Sequence, residues 1–404
     1  MPPHELAQFD AFAVAAPGIS ALLAAELASL GITIESVESA GVGFRATREN
    51  LLTVNLWSRL ASRVLVRIAE FAARDFATLE KQAARVPWAT YIAPHTTVRF
   101  RVTCRKSRLY HSDAVAERVA RGVIGVVPTA RGALRTRDDD DAEGDASDHA
   151  TTQLFVVRLE HDRCTISADT SGDLLHRRGW RQAIAKAPLR ETLAATMLAA
   201  CEWRGELPLV DPFCGSGTIG IEGALRARNV APGLHRSFAL ERWPGVSPAW
   251  VTKQRAAARA VALPSLSVPI VMSDRDAGAC DAARANAERA GVLADVQIIQ
   301  RALSDVDLAA LGTRGLVLTN PPYGLRVSEG ADLRGLFARL GDVVRAGGAE
   351  WRAALLVPDR RLIASMRLSF EPIVRTSNGG IAVAIEYSKE KRSASVRRAD
   401  SKTP

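Results

Sequence analysis

The chain has 404 residues, 47% hydrophobic and 24% charged, with 53 basic against 44 acidic side chains and a formal net charge of +9. That length holds two or three domains. No apolar run reaches about 18 residues and no basic region precedes an apolar core at the N-terminus, so neither a membrane span nor a secretory signal is expected, and the cytoplasm is the default. Five scattered cysteines (104, 164, 201, 214 and 280), never spaced Cys-x-x-Cys, argue against a disulfide framework and a zinc site. The basic surplus is compatible with a polyanionic partner.

Residues 10–68 read as strand, helix, strand, helix, strand. Phe12-Ala13-Val14 is a short strand, and Pro17-Gly18 starts a helix with Ile19, Leu22, Leu23, Leu27 and Leu30 on one face until Gly31 stops it. A strand near Gly43–Ala46, a helix carrying Leu51, Leu52, Leu56, Trp57 and Leu60, and a strand over Val64–Ile68 follow. Residues 70–170 read as a second small α+β unit. Val98, Phe100 and Val102 alternate along a strand, then Cys104-Arg105-Lys106-Ser107-Arg108-Leu109-Tyr110-His111 forms a basic loop with an aromatic. A helix over Ala114–Val127 and paired strands at Leu154–Leu159 and Cys164–Ala168 complete the unit. The run Asp138–Asp145 has little apolar surface to bury, so 135–149 is expected to be a disordered insertion. Leu175-His176-Arg177-Arg178-Gly179-Trp180-Arg181 is basic with an aromatic, and 187–192 opens a helix.

The stretch Asp211-Pro212-Phe213-Cys214-Gly215-Ser216-Gly217-Thr218-Ile219-Gly220 carries the first chemical signal. The apolar pair Leu209-Val210 ends in an acid, small residues follow, and a helix runs from Thr218 to Arg228. This is a strand, a tight turn and a helix start, where glycines admit a ligand to the backbone and helix N–H groups face it. Gly215-x-Gly217-x-x-Gly220 formally matches a dinucleotide fingerprint, which also wants an acid about 20 residues on. The first suitable acid after a second strand is Asp274, far beyond that spacing, and Asp211 would repel a pyrophosphate. A carboxylate in this turn favours a cation, such as the ammonium and sulfonium of S-adenosylmethionine. Cys214 reads as a small side chain that fits the turn, since no His lies nearby to activate it.

Val268–Ser273 reads as the second strand. Asp274 at its end is placed to accept both ribose hydroxyls, and Asp276 caps the helix holding Ala279, Ala282, Ala283 and Asn286. Val296–Ile299 is the third strand. Leu316-Val317-Leu318-Thr319 reads as a buried strand that runs directly into Asn320-Pro321-Pro322-Tyr323-Gly324. Two prolines stiffen that turn and leave its carbonyls pointing outward. Asn320 offers an acceptor and Tyr323 a flat ring, which suits a planar substrate bearing an amino group; a plain Pro-rich turn with a packed tyrosine is the competing reading. Ala353–Val357 is the fifth strand, and Glu371–Ser377 with Ile381–Tyr387 flank Asn378-Gly379-Gly380 as a hairpin.

Together, Asp211–Ala224 and Thr319–Gly324 resemble motifs I and IV of the class I amino-methyltransferases of the Asn-Pro-Pro-Tyr type. More closely they resemble the THUMP-containing RNA guanine-N2 methyltransferases, which include bacterial enzymes acting on 23S rRNA. The phrases Ala16-Pro17-Gly18, Leu56–Arg63 and Arg236–Pro244 are similar to matching parts of that family. The resemblance implies an α/β fold in which a Rossmann-like class I methyltransferase domain (171–388) is preceded by α+β ferredoxin-like (1–69) and THUMP (70–170) domains and followed by a basic disordered tail (389–404).

It also implies S-adenosyl-L-methionine as cofactor, bound by Asp211, Phe213, Gly215, Gly217, Thr218 and Asp274, with no metal. Asn320, Pro321 and Tyr323 take the catalytic places. The family sets an acid just after the third strand for the adenine amino group; Gln300–Asp305 departs from this, with Asp305 a few residues late. RNA is the implied partner, rRNA before tRNA, with Arg105, Lys106 and Arg108 as phosphate contacts. Arg177 and Arg178 lie in a segment similar to the one covering the cofactor's methionine end; holding RNA phosphate is the alternative reading for them. Adenine-N6 or protein-glutamine methylation could use the same acceptors, and a non-catalytic RNA-binding protein is the alternative outside enzymes.

Overall fold

Alternating apolar and polar side chains set much of the front half into strands. The computed structural model describes residues 8–135, 152–182, 189–323 and 333–389; the acidic run at 138–145, Gly324 and the tail from 390 fall outside them. The chain opens with β1 (Phe9–Val14), α1 (Ser20–Ser29), β2 (Ile34–Glu38), β3 (Gly41–Ala46), α2 (Arg48–Trp57) and β4 (Arg63–Ala72). Leu23 and Leu27 of α1 are fully buried, and Thr47 caps α2 by accepting from the Asn50 amide. Then come α3 (Phe76–Ala83), β5 (Thr97–Arg105), α4 (Ser112–Val126), β6 (Arg131–Arg135), β7 (Thr152–Glu160) and β8 (Arg163–Asp169).

All eight strands join one sheet in the order β2-β3-β1-β4-β8-β7-β5-β6. Two separate units meeting near residue 69 are expected from the sequence. Instead β4 runs through that point, pairing antiparallel with β1 over Arg63–Arg67 and with β8 from Leu65 to Ala72 around a bulge. In the core of this unit Trp88 meets Phe155 edge-on at 4.9 Å and donates Nε1–H to the Ala83 carbonyl at 2.8 Å.

The second half supplies α5 (Glu191–Ala200), β9 (Leu209–Asp211), α6 (Thr218–Ala227), α7 (Pro248–Ala260), β10 (Ile270–Asp274), α8 (Ala277–Arg289), β11 (Val296–Gln300), β12 (Arg314–Thr319), α9 (Leu333–Ala346), β13 (Glu350–Val357), β14 (Phe370–Asn378) and β15 (Ile381–Ser388). Its sheet has the order β11-β10-β9-β12-β13-β15-β14, parallel from β11 to β13 and antiparallel at β15. The strand order reverses at β9, which lies between β10 and β12; sheets of this kind take ligands in a crevice at that point, here beyond the carboxyl ends of β9 and β12. Phe337, Leu340, Val343 and Val344 of α9 pack in one cluster with Val210, Val317 and Leu355 of the strands.

By its contacts the chain divides into two units. One is built on the eight-stranded sheet and takes in Val230–Ala262; the other is built on the seven-stranded sheet and begins at Trp180. The segment 230–262, inside the expected 171–388 domain, thus clusters by its contacts with the eight-stranded sheet. Arg236 explains its place. It donates to the carbonyls of Ser171, Asp173, Leu174 and Arg177, and burial pushes its pKa down to about 10. Trp243 adds an Nε1–H bond to Gln153 at 2.9 Å. The Arg236–Pro244 phrase thus has a structural role in the first unit.

Candidate active site

β9 ends in Asp211, which is 2% exposed. Its Oδ1 accepts from Thr319 Oγ1 at 2.6 Å and from the Phe213 amide at 3.2 Å. Burial raises its pKa to about 7 against the pull of those two bonds, and the nearby Asp274 carboxylate pushes the same way as burial. On the neighbouring strand Asp274 accepts from the Gly215 amide at 3.1 Å and from the Asp276 amide at 3.0 Å. Asp276 caps α8 as expected, accepting from the Ala279 amide.

The turn between β9 and α6 differs in one respect from the sequence expectation. The amides of Phe213, Cys214, Gly215 and Gly217 all donate within the protein, to Asp211, Ser273, Asp274 and Cys214 respectively. They are not free to cradle an anion, so a pyrophosphate finds two carboxylates here and few open donors. Gly217 caps α6 at φ +87°, and a Cβ there would stand 3.0 Å from Ala283. Asn286 of α8, fully buried, braces the turn by donating to the Ser216 carbonyl at 3.1 Å. Burial raises the Cys214 thiol far above its ordinary pKa, which removes it as a nucleophile. Phe213 packs against the sheet's apolar cluster, and Thr218 is buried as the first residue of α6.

At the end of β12, Thr319 is fully buried and Asn320 follows it. Asn320 Oδ1 is buried and accepts no hydrogen bond from the described residues. Leaving such an acceptor unmade costs about 1–3 kcal/mol, so a donor from a ligand would be stabilising there. Pro321 is buried, and the half-buried Tyr323 accepts at Oη from Asn378 Nδ2 at 3.0 Å. The hairpin residue Asn378 was not among the site residues expected from sequence, nor were Thr319 and Asn286.

The family-model comparison decides the assignment of this arrangement. Residues 178–381, half of the chain, match the RMKL-like methyltransferase domain, and residues 10–65 match the RlmL ferredoxin-like domain. The chain belongs to the RMKL-like methyltransferase family. A Syntrophotalea carbinolica protein named ribosomal RNA large subunit methyltransferase K/L is 35% identical over 92% of this chain, and the chain spans 52% of that relative's length. The Synechocystis protein slr0064, named as a candidate RNA methyltransferase, is 31% identical over 92% of this chain and 94% of its own. Among solved structures, SMU.472, a candidate methyltransferase crystallised with SAH, has a TM-score of 0.83 and 27% identity, covering 95% of this chain and 99% of its own.

Beyond the core of the RMKL-like site, the remaining expected residues differ in exposure and partners. Asp305 is exposed on a short 3-10 turn after β11 and accepts from its neighbour Ser304. Arg178 is a correction: at 2% exposure it donates to the carbonyls of Leu175 and Arg59, both at 2.7 Å, and is closed to RNA. Arg177 is half-buried, 3.7 Å from Asp173. Arg105, the last residue of β5, and Lys106 and Arg108 on the loop after it stand exposed, without an acidic partner among the described residues. Among those residues no group of three His, Cys, Asp or Glu side chains is placed to hold a metal, and no helix is long and apolar enough to cross a membrane.

The two carboxylates at the ends of β9 and β10 fit a cofactor with a cationic aminoacyl end and a ribose; Asp211 would hold the first and Asp274 the second. The Thr319 bond lowers the pKa of Asp211 and joins that carboxylate to the Asn320 turn. Hydrogen bonds to a charged group contribute about 1.5–3 kcal/mol. Thr319→Val should therefore weaken S-adenosylmethionine binding by about tenfold or more at pH 7, while Thr319→Ser restores it. Calorimetry on the three proteins checks this, and equal affinities would make Thr319 merely a core residue.

Proposed function

We propose that this chain uses S-adenosylmethionine to methylate the exocyclic N2 of a guanosine in large-subunit ribosomal RNA. The observation that carries the reading is the orphaned, buried Asn320 Oδ1, one residue from the Thr319–Asp211 bond. The cofactor supplies an electrophilic methyl group. Asn320 Oδ1 and the Pro321 carbonyl accept the N–H bonds of the amine, and they favour a more tetrahedral nitrogen as charge builds on it. Tyr323, held through Asn378, stacks on the base taken out of its helix. No strong base is required, because the methylated amine is far more acidic than the starting one. The rRNA substrate is supported by the name of the Syntrophotalea relative, and guanine-N2 by the phrases around Asp211 and Asn320.

Nucleoside mass spectrometry of 23S rRNA and tRNA from a strain lacking the gene tests this reading. We expect loss of N2-methylguanosine from 23S rRNA alone. Loss of N6-methyladenosine instead would reassign the base, and loss from tRNA would reassign the RNA.

The first unit, in this reading, holds the RNA through its THUMP portion. Neutralising Arg105, Lys106 and Arg108 to Gln should weaken RNA binding and reduce its salt dependence. Each lost phosphate contact lowers the slope of log K against log salt by roughly 0.7–0.9. Cofactor affinity should stay constant. An unchanged slope in a filter-binding titration would leave this loop a solvated surface.

A further inference from the structure

Among the described residues Tyr110 is the one exposed Phe, Trp or Tyr, at 70%; the others are buried or half-buried. Its ring lies 4.2 Å from that of His111, tilted by 40°. The backbone around the pair is tied down. Asp162 accepts from the Arg108 amide at 2.8 Å, its own amide donates to Ser107 Oγ at 3.0 Å, and His161 donates to the Arg105 carbonyl at 3.3 Å. Leu109 is buried, and the His111 carbonyl accepts from the Val115 amide in the first turn of α4. Two planar side chains are thus presented to solvent on an anchored loop, immediately after three exposed cations that have no acidic partner among the described residues. Ordinary surface cations of the same unit do have partners, as Arg118 with Glu80 and Arg163 with Glu70 show.

We infer that Tyr110 and His111 form a stacking platform for an unpaired nucleotide of the RNA, with Arg105, Lys106 and Arg108 holding the adjoining phosphates. This rests on the reading of the chain as an RNA enzyme. Cations alone would serve a duplex as well as a single strand, because both present phosphates. A free aromatic face is useful only for a base that has left its helix, and every base has a face to offer, so the platform selects strandedness rather than sequence. An acidic protein surface would use the cations and leave the rings idle.

The experiment uses the full chain and two RNA oligonucleotides of equal length, one single-stranded with an internal 2-aminopurine and one a closed hairpin duplex. For wild-type protein we expect tighter binding to the single strand and quenching of the 2-aminopurine. Tyr110→Ala should lose about five- to tenfold in single-strand affinity and most of the quenching, with duplex affinity and salt slope unchanged. Tyr110→Phe keeps the ring and should bind and quench like wild type. A Tyr110→Ala protein that binds and quenches normally, or weakens equally on both RNAs, overturns the platform. If the charge-neutralised loop still flattens the salt slope, the RNA reading survives that loss. If wild type binds neither RNA and prefers an acidic peptide, the RNA reading falls with it.

Discussion

Lowering the pH from 8 to 6 should weaken S-adenosylmethionine binding by about tenfold, and Asp211→Asn should abolish that dependence while binding poorly throughout. Both follow from one carboxyl group. Burial, with Asp274 nearby, lifts Asp211 to about 7, so much of it is protonated at neutral pH when no cation is present. A bound ammonium favours the ionised form, and binding then releases a proton over the interval around pH 7. Stability has the opposite sign. The folded pKa of Asp211 lies above its ordinary 3.8, so its contribution is fully present below that value and is lost as pH rises through about 7. Cofactor-free protein should accordingly lose melting temperature between pH 5 and 8 through this group, and the Asp211→Asn variant should lose less. Saturating cofactor should cancel the difference. Calorimetric titrations at three pH values decide the matter, and a pH-independent affinity for the wild type would remove Asp211 as the partner of the aminoacyl end.

Much of the second unit was legible because its signals are local. Leu316–Thr319 is a continuous apolar run of the kind a parallel sheet buries, and β12 is buried from Gly315 to Thr319. Asp276 before an Ala-containing helix is a cap readable at three-residue range, and the structure has that bond. Other elements were hidden by their own chemistry. β2 is mostly exposed, so Ile34–Glu38 lacks the alternation that marks a half-buried strand. α7 buries only Val251 and Ala258 and looks like a polar insertion. The helix α9, by contrast, does carry a readable stripe, because Phe337, Leu340, Val343 and Val344 share its buried face at helical spacing.

The site shows the same division. Asp211 and Asn320 each announce themselves in a short motif. The bonds that make them work do not: Thr319 reaches back 108 residues to Asp211, Asn286 reaches 70 to Ser216, and Asn378 reaches 55 to Tyr323. Only the sheet order brings such pairs together. Basic residues pose a related difficulty, since a run of arginines does not say which ones are buried. Arg178 satisfies backbone carbonyls inside the first unit, whereas Arg105, Lys106 and Arg108 face water, and nothing in one sequence separates the two cases.

Asn320→Ala should cost about 10²–10³ in single-turnover rate, the range found when a fixed group that meets developing charge is removed. Cofactor affinity should hold, because Asp211, Asp274 and Thr319 are untouched, and RNA affinity should change far less than the rate. The asymmetry follows from when the acceptor acts. An orphaned Oδ1 gains a donor once the amine arrives, and gains most as that nitrogen becomes tetrahedral and its N–H bonds more acidic. Asn320→Asp keeps an acceptor and should retain partial activity. At Tyr323 the expectation differs. Tyr323→Phe loses only the bond from Asn378 and should weaken turnover modestly, while Tyr323→Ala loses the stacking face and should impair both RNA binding and rate. Single-turnover measurements on matched RNA separate these cases. If Asn320→Ala turns over normally and loses only RNA affinity, the Asn-Pro-Pro-Tyr turn is a docking surface, and the amine must find its acceptors elsewhere in the crevice.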